Sequence, residues 1–220
     1  MARRGEHSSE EIRQMALDAA EAIVAREGYP GLSTRKVAAA IRYTVGTLYL
    51  VFKNLDDLTL QVNGRTLDAL YDWLRARQDV NGAGSDPERA ILVLANAYIA
   101  YAETETPRWS MLFEYAVQEN EQPEWYLHKL GRVFGLVEAA LAPLSEDVVE
   151  TQRIARVLWA SVHGICLLKI RQRLILAGNQ DVETMTRMLV SNFLRGLRRV
   201  QDNQGSGIRG QGSKPIGVDP

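Results

Sequence analysis

The window from Tyr29 to Lys53 carries positive charge and contains no carboxylate. Its basic residues are Arg35, Lys36, Arg42 and Lys53, whereas the segments on both sides are rich in Asp and Glu. Phosphate groups attract such a surface because contact releases condensed counterions, and carboxylates would oppose that contact. The window therefore predicts contact with a nucleic-acid backbone. Charge alone is equally compatible with a solvated basic face that has no ligand.

The spacing inside the window favours a helix-turn-helix. A helix from about 34 to 41, a turn over 42–44 and a short helix from about 45 to 50 have the lengths of that motif. The second helix opens with Thr44-Val45-Gly46-Thr47, whose small side chains let a backbone approach a DNA groove closely. The threonine hydroxyls can bond phosphates or base edges, and the hydroxyl of the following Tyr49 can reach a phosphate.

Residues that could perform catalysis are scattered. His7, His128 and His163 lie in three separate segments, and no metalloprotease histidine pair, Gly-x-Ser-x-Gly elbow or phosphate loop is present. The single cysteine, Cys166, lies in an apolar run, which excludes an internal disulfide and a cysteine-cluster metal site. We therefore predict a protein that is not an enzyme and has no cofactor or metal.

The elements that position these residues are predicted to be helical, which makes the fold class all-α. Apolar residues recur at helical spacing, and Pro, Gly or Ser mark the boundaries. The predicted helices outside the motif span about 9–27, 54–77, 87–105, 107–118, 123–142, 146–177 and 181–201. They form a three-helix head at 1–53 and a larger helical body at 54–202, followed by a disordered Gly-rich tail at 203–220.

The bulk composition is that of a soluble globular protein. The 220 residues are 46% hydrophobic and 24% charged, with a net charge of −1, so nucleic-acid contact must come from a local patch. The first 14 residues are polar, and no apolar stretch approaches the length of a membrane span. We therefore expect a cytoplasmic protein without a membrane partner.

At residues 32–58 the sequence LSTRKVAAAIRYTVGTLYLVFKNLDDL resembles the DNA-binding segment of the TetR family of bacterial transcriptional repressors. The residues that carry this resemblance are Thr34, Val37, Ala38, Thr44, Gly46, Thr47, Leu48, Tyr49, Phe52 and Leu58. Three positions depart from the family pattern. Arg42 stands where the turn usually has Gly, Tyr43 replaces a small aliphatic residue, and Leu55 replaces a common lysine, whose role Lys53 would have to take.

The resemblance implies a regulator, in most cases a repressor, that binds palindromic double-stranded operator DNA as a homodimer. Val45, Gly46, Thr47 and Leu50 would lie against base edges. Phosphates would be held by Thr34, Thr44, Tyr49 and Lys53, with Arg35 and Arg42 adding positive charge. The two subunits would pair through their last two long helices.

The body contains many aromatic residues, which predict either an apolar effector pocket or an ordinary core. The candidate pocket residues are Tyr98, Tyr101, Trp109, Phe113, Phe134, Trp159 and His163. The run from Trp159 to His163-Gly164 resembles a C-terminal domain type named for Trp-His-Gly, although His163 also fits a hydrogen-bonded core position. The expected effector is a small apolar molecule, and a dimer that needs no effector is the alternative.

Overall fold

The computed structural model describes residues 7–80, 86–115, 122–145 and 147–207. Every regular element in these residues is helical, so the predicted all-α fold class is confirmed. The α-helices of this part of the chain are α1 (Ser9–Glu27), α2 (Thr34–Ala40), α3 (Val45–Leu48), α4 (Leu55–Val80), α5 (Pro87–Thr104), α6 (Thr106–Glu114), α7 (Glu124–Leu141), α8 (Val148–Ile170) and α9 (Val182–Gly207). Short 3-10 turns lie at Tyr29–Gly31, Ala142–Leu144 and Leu174–Ala177.

Helix α1 begins with a reciprocal cap. The Ser8 hydroxyl accepts a hydrogen bond from the Glu11 backbone N–H at 3.2 Å, and the Glu11 carboxylate accepts one from the Ser8 N–H at 2.6 Å. Both bonds satisfy donors that the first turn of a helix leaves unpaired. The helix ends at Gly28, whose φ of 70° is one that glycine adopts without a steric penalty.

Helices α1, α2 and α3 form the head around one apolar core. Val24 of α1 and Val37 of α2 are fully buried, and Leu48 of α3 is 1% exposed. Two elements of the body also enter this core, because Val62 of α4 and Met111 of α6 are fully buried in it. Helices α4 and α6 therefore connect the head to the body.

Helix α5 is the centre of the body. It contacts α4, α6, α7, α8 and α9, and its buried residues occupy most of its circumference. This pattern follows from its sequence, which is apolar all round rather than along one stripe. Leu158 of α8 and Leu194 of α9 close the core around it.

Helix α8 ends at Ile170, so the prediction that it continues to 177 is wrong. The Gln172 N–H donates to the Lys169 carbonyl at 3.0 Å, and the Arg173 N–H donates to the Leu168 carbonyl at 2.8 Å. These paired bonds are those of a Schellman termination, in which one residue takes a left-handed conformation. Here that residue is Gln172, with φ 52°, in a position where glycine is usual.

Other helix ends also differ from the sequence prediction. Helix α9 continues to Gly207, so residues 203–207 of the predicted disordered tail are helical, while 208–220 lie outside the described residues. Helix α4 extends to Val80 instead of 77, which takes it into the predicted 79–87 loop. Helix α3 stops at Leu48 rather than 50, and α6 stops at Glu114 rather than 118, with 116–121 outside the described residues.

In the ranges that the structure describes, no helix is both long enough and apolar enough to cross a membrane.

Candidate nucleic-acid interface and cavity

The turn between α2 and α3 is a Schellman termination with Arg42 at its left-handed position. Arg42 has φ 61°, and its N–H donates to the Ala39 carbonyl at 3.2 Å. The next N–H, that of Tyr43, donates to the Ala38 carbonyl at 2.9 Å. The turn therefore keeps the geometry that glycine usually supplies, with arginine in its place.

Thr44 then fixes the start of α3. Its hydroxyl accepts a hydrogen bond from the Thr47 N–H at 3.2 Å and lies 3.0 Å from the Thr47 hydroxyl. This is an N-cap, and it holds two of the predicted DNA-contacting side chains against each other. Gly46 lies between them with open space around its α-carbon, because a Cβ there would meet only the Thr44 hydroxyl, at 3.7 Å.

The outward face of the motif carries the residues that the sequence singles out. Leu50 is 82% exposed and Tyr49 is 52% exposed, which is high for large apolar side chains. Five other members of the set are also exposed, namely Arg35, Arg42, Thr44, Gly46 and Lys53. The remaining three, Thr34, Val45 and Thr47, are half-buried. All ten predicted DNA-contacting residues are thus exposed or half-buried on the head.

The basic window is not uniform in charge. Lys36 Nζ lies 2.5 Å from a carboxylate oxygen of Glu27, at the end of α1, and this hydrogen bond lowers the pKa of Glu27. Arg35, Arg42 and Lys53 form no ion pair with any described residue. Three of the four cations therefore have no ion-pair partner among the described residues, and the fourth pairs with Glu27.

A contact that sequence reasoning missed lies beside the turn. His7 Nδ1 is 2.8 Å from the Tyr43 hydroxyl, and the two rings meet edge to face at 6.1 Å. Tyr43 is one of the departures from the family pattern. Its larger side chain therefore ties the segment before α1 to the turn between α2 and α3.

The head and the body are also joined by charge. Arg65 of α4 lies 2.6 Å from Asp18 and 3.5 Å from Glu21 of α1, and Arg108 of α6 lies 3.8 Å from Glu21. Glu21 is only 19% exposed, so its contacts are less screened by water than those of an open surface pair. The same two body helices that enter the head core therefore also hold the head by ion pairs.

A cavity of about 320 Å³ lies in the body between α4, α5, α6, α7 and α8. Of the predicted pocket residues, Tyr98, Phe113, Phe134 and Trp159 line it. Tyr101, Trp109 and His163 are not among its lining residues. Its aliphatic part was missed by sequence reasoning and consists of Leu67, Leu70, Leu74, Ile91, Leu94, Ala95, Leu112, Leu130, Val133, Val137, Leu158 and Val162.

The three predicted residues outside the lining have other roles. Tyr101 donates to the Thr66 carbonyl at 3.3 Å, and Trp109 is 1% exposed with its ring 5.1 Å from that of Phe113. His163 Nδ1 lies 2.9 Å from the Tyr98 hydroxyl, and its ring is 4.3 Å from that of Phe113. Burial lowers the pKa of His163, which favours the neutral imidazole. His163 therefore supports the cavity wall from behind.

The last two long helices expose apolar side chains. On α8, Val148, Val149 and Val157 are 69%, 63% and 49% exposed, and on α9 Met188 is 60% exposed. On the same helix α9, Leu189, Phe193 and Leu197 pack against the body core.

Two family models match the chain over its head and body. One, described as "Bacterial regulatory proteins, tetR family", matches residues 16–62, which contain α2, the turn and α3. The other, described as "Tetracyclin repressor-like, C-terminal domain", matches residues 91–193. The chain belongs to the TetR family of bacterial transcriptional regulators. Its members are DNA-binding transcription factors and not enzymes, as the sequence predicts for this chain.

Relatives of this TetR-family chain share its fold at low sequence identity. It is 27% identical over 158 residues to an uncharacterised HTH-type transcriptional regulator of Mycobacterium tuberculosis, covering 72% of this chain and 70% of that protein. A tetR-family transcriptional regulator from Streptomyces coelicolor superposes with a TM-score of 0.64 at 17% identity, covering 91% of this chain and 87% of that one. The multidrug binding protein EbrR, crystallised with imidazole, superposes with a TM-score of 0.57 at 22% identity, covering 82% and 93%.

At these identities the structural likeness shows a shared fold. The Trp-His-Gly subtype is not distinguished by the family model that matches the body, and it stays a prediction.

Proposed function

We propose that this TetR-family regulator is a repressor that binds palindromic operator DNA as a homodimer and releases it when a small apolar effector enters the body. The observation that carries the DNA-binding part is the outward face of the turn and α3. It combines three cations without an ion-pair partner among the described residues, the Thr44 hydroxyl that caps α3, and the side chain of Leu50, which is 82% exposed. A solvated surface gains nothing from such an exposed leucine, whereas a base edge in a groove provides an apolar partner for it.

The exposure and chemistry of each residue indicate whether it would contact a base or a phosphate. Val45, Gly46, Thr47 and Leu50 lie on or beside α3 and would meet base edges. Phosphates would be held by the cations and hydroxyls around them, namely Thr34, Arg35, Arg42, Thr44, Tyr49 and Lys53. Lys36 is not included, because its charge is paired with Glu27.

The proposed dimer pairs α8 and α9 of each subunit into a four-helix bundle. Exposed valines on α8 and Met188 on α9 supply apolar area that a second copy would cover. Two heads on one dimer can meet successive major grooves, whose half-site centres are about 34 Å apart.

The cavity supports the effector part of the proposal. A body that served only for dimerisation would need no cavity, whereas this one is at the lower limit of the size typical for small-ligand sites. EbrR, which shares this fold, is described as a multidrug binding protein. Helices α4 and α6 contribute to both the cavity wall and the head core, so they are the elements that would transmit ligand binding.

Capture of genomic fragments by the purified protein, stripped of bound small molecules, followed by sequencing tests the DNA-binding part. We expect a palindromic sequence to be recovered. The Leu50→Ala variant should lower affinity for it by roughly tenfold or more, because each dimer loses two apolar contacts and fully burying a leucine side chain is worth about 1.5–3 kcal/mol. Leu127→Ala is the matched control, since Leu127 is also exposed, at 49%, but lies on α7. Failure of the folded, stripped dimer to enrich any sequence would refute the proposal.

A further inference from the structure

The described residues that line the cavity carry no charge. Among the described residues that line it there is no Asp, Glu, Lys, Arg or His, and its polar atoms belong to Tyr98, Tyr126, Trp159 and Gln122. The Tyr98 hydroxyl is already shared with His163. An ionised group placed in this cavity would lose part of its water shell and find no opposite charge among these described lining residues. The wall therefore favours a neutral ligand.

One ring of the aromatic wall is already occupied by a cation of the protein. The rings of Phe113, Phe134 and Trp159 would attract a positive charge by cation–π interaction if they were free. However, the Arg156 guanidinium carbon already lies 4.1 Å from the centroid of Phe134, and the same guanidinium pairs with Glu138. The protein's own cation thus already occupies a face of Phe134, one of the three rings.

The dimensions of the cavity limit the size and shape of the ligand. Its lining residues on α7 extend from Tyr126 to Val137, which are eleven positions apart, or about 16 Å at 1.5 Å per residue. A volume of about 320 Å³ over that length describes a narrow space. At about 30 Å³ for each water-sized group, the cavity volume of about 320 Å³ holds about 11 non-hydrogen atoms. A long, slender molecule fits these limits better than a compact fused-ring one.

The two kinds of wall suggest how such a ligand would lie. Aromatic rings come from α6, α7 and α8, at Phe113, Phe134 and Trp159, while α4 contributes Leu70 and Leu74. A flat ring packs well against other rings, and an alkyl chain packs well against leucines.

We propose, building on the proposed function, that the effector is a neutral alkyl-aromatic molecule of about 11 non-hydrogen atoms. Its ring packs against Phe113, Phe134 and Trp159, and its alkyl chain lies along Leu70 and Leu74. Cationic and anionic analogues of the same size bind at least tenfold more weakly, a difference of about 1.4 kcal/mol.

Isothermal titration calorimetry on the full chain without DNA tests this proposal with three matched probes. These are 4-pentylphenol, 4-pentylbenzoate and 4-pentylbenzylamine, which at neutral pH are uncharged, anionic and cationic, respectively. We expect the phenol to bind at least tenfold more tightly than either ion. The Ala95→Leu variant, which adds side-chain volume inside the cavity, should weaken phenol binding at least tenfold. Ala139→Leu, at an exposed position of α7, is the control and should leave it unchanged.

Equal or tighter binding of either ion, or no binding of any of the three probes, would overturn the proposed ligand class. Circular dichroism shows whether the Ala95→Leu variant is folded. If it is not, the comparison of the three probes on the unmodified chain still tests the proposal. Operator affinity is measured separately with the same probes. If the phenol binds with the expected selectivity and leaves operator affinity unchanged, the ligand class stands and the proposed release mechanism is wrong.

Discussion

Arg42 holds a backbone conformation that L-amino acids rarely adopt, so Arg42→Gly is predicted to stabilise the head. Its φ of 61° lies in the left-handed region, and paired hydrogen bonds from its own N–H and that of Tyr43 fix it there. That region costs an L-residue about 1–2 kcal/mol. Glycine avoids this cost but loses about 0.4–1 kcal/mol through the greater freedom of the unfolded chain. The difference predicts that Arg42→Gly raises the free energy of unfolding by roughly 0.5–1 kcal/mol.

Arg42→Ala separates backbone strain from charge. Alanine removes the guanidinium but keeps the Cβ that makes the left-handed conformation unfavourable. Urea denaturation of the two variants should therefore show the glycine form to be the more stable of the two. Equal stability, or a more stable alanine form, would refute the assignment of strain to this turn.

The same two variants test whether Arg42 meets a phosphate. Both lack the guanidinium, and a homodimer carries two copies, so both should reduce the slope of log affinity against log salt by about 1.8, at about 0.9 per phosphate contact. Fluorescence anisotropy with the operator over a range of KCl concentrations measures this slope. An unchanged slope in both variants would exclude a phosphate contact by Arg42. A change in the glycine form alone would assign the effect to turn geometry instead of charge.

Three further predictions concern the body and its junction with the head. A Cβ at Gly64 would lie 2.7 Å from Trp125 Cζ3, so Gly64→Ala should lower the free energy of unfolding by about 1–3 kcal/mol. Gly131→Ala, which meets nothing within 4 Å, should raise it by up to about 1 kcal/mol, and similar results for the two in urea denaturation would contradict the close contact. Burial lowers the pKa of His163 below 6.5, so the unfolded chain binds the proton more readily, and stability should fall as pH drops below that value. His163→Gln should show a weaker fall between pH 8 and pH 5, and an identical pH profile would remove His163 as its source. Asn63 is fully buried, and neither of its side-chain polar atoms has a hydrogen-bond partner among the described residues. Asn63→Leu should therefore raise the free energy of unfolding by about 1–3 kcal/mol, and a decrease in thermal-melt or urea measurements would reveal a partner for the amide.

The helix-turn-helix was predictable because its determinants are local. The spacing of Val37 and Leu48 reports which side of each short helix is buried, and Thr44 reports where α3 begins. The end of α8 was not predictable in this way. The residue that ends this helix in a left-handed conformation is Gln172, whereas that position is usually glycine or asparagine. The sequence therefore does not mark the boundary.

Contacts and cavities formed between separate segments of the chain could not be predicted from the sequence either. In the basic window from Tyr29 to Lys53, Lys36 has no carboxylate to pair with. Folding nevertheless places its Nζ 2.5 Å from a carboxylate oxygen of Glu27, at the end of the preceding helix. The cavity is a second example. Aromatic residues were singled out because they are chemically distinctive, whereas Leu70 and Leu74 are indistinguishable in sequence from any core leucine. Whether leucines line a cavity or fill a core depends on how closely the surrounding helices pack.

The proposed coupling between effector and DNA can act through α4 and α6, which both contribute to the head core and the cavity wall, and α6 is the shorter of the two. Met111 is fully buried in the head core, and Phe113, two residues later, lines the cavity. Two residues along an α-helix are about 200° apart, so these side chains project from nearly opposite faces. A ligand that displaces Phe113 must therefore move the helix against the head or compress a core that is already close-packed. Release by a factor of ten needs only about 1.4 kcal/mol of difference in ligand affinity between the two states.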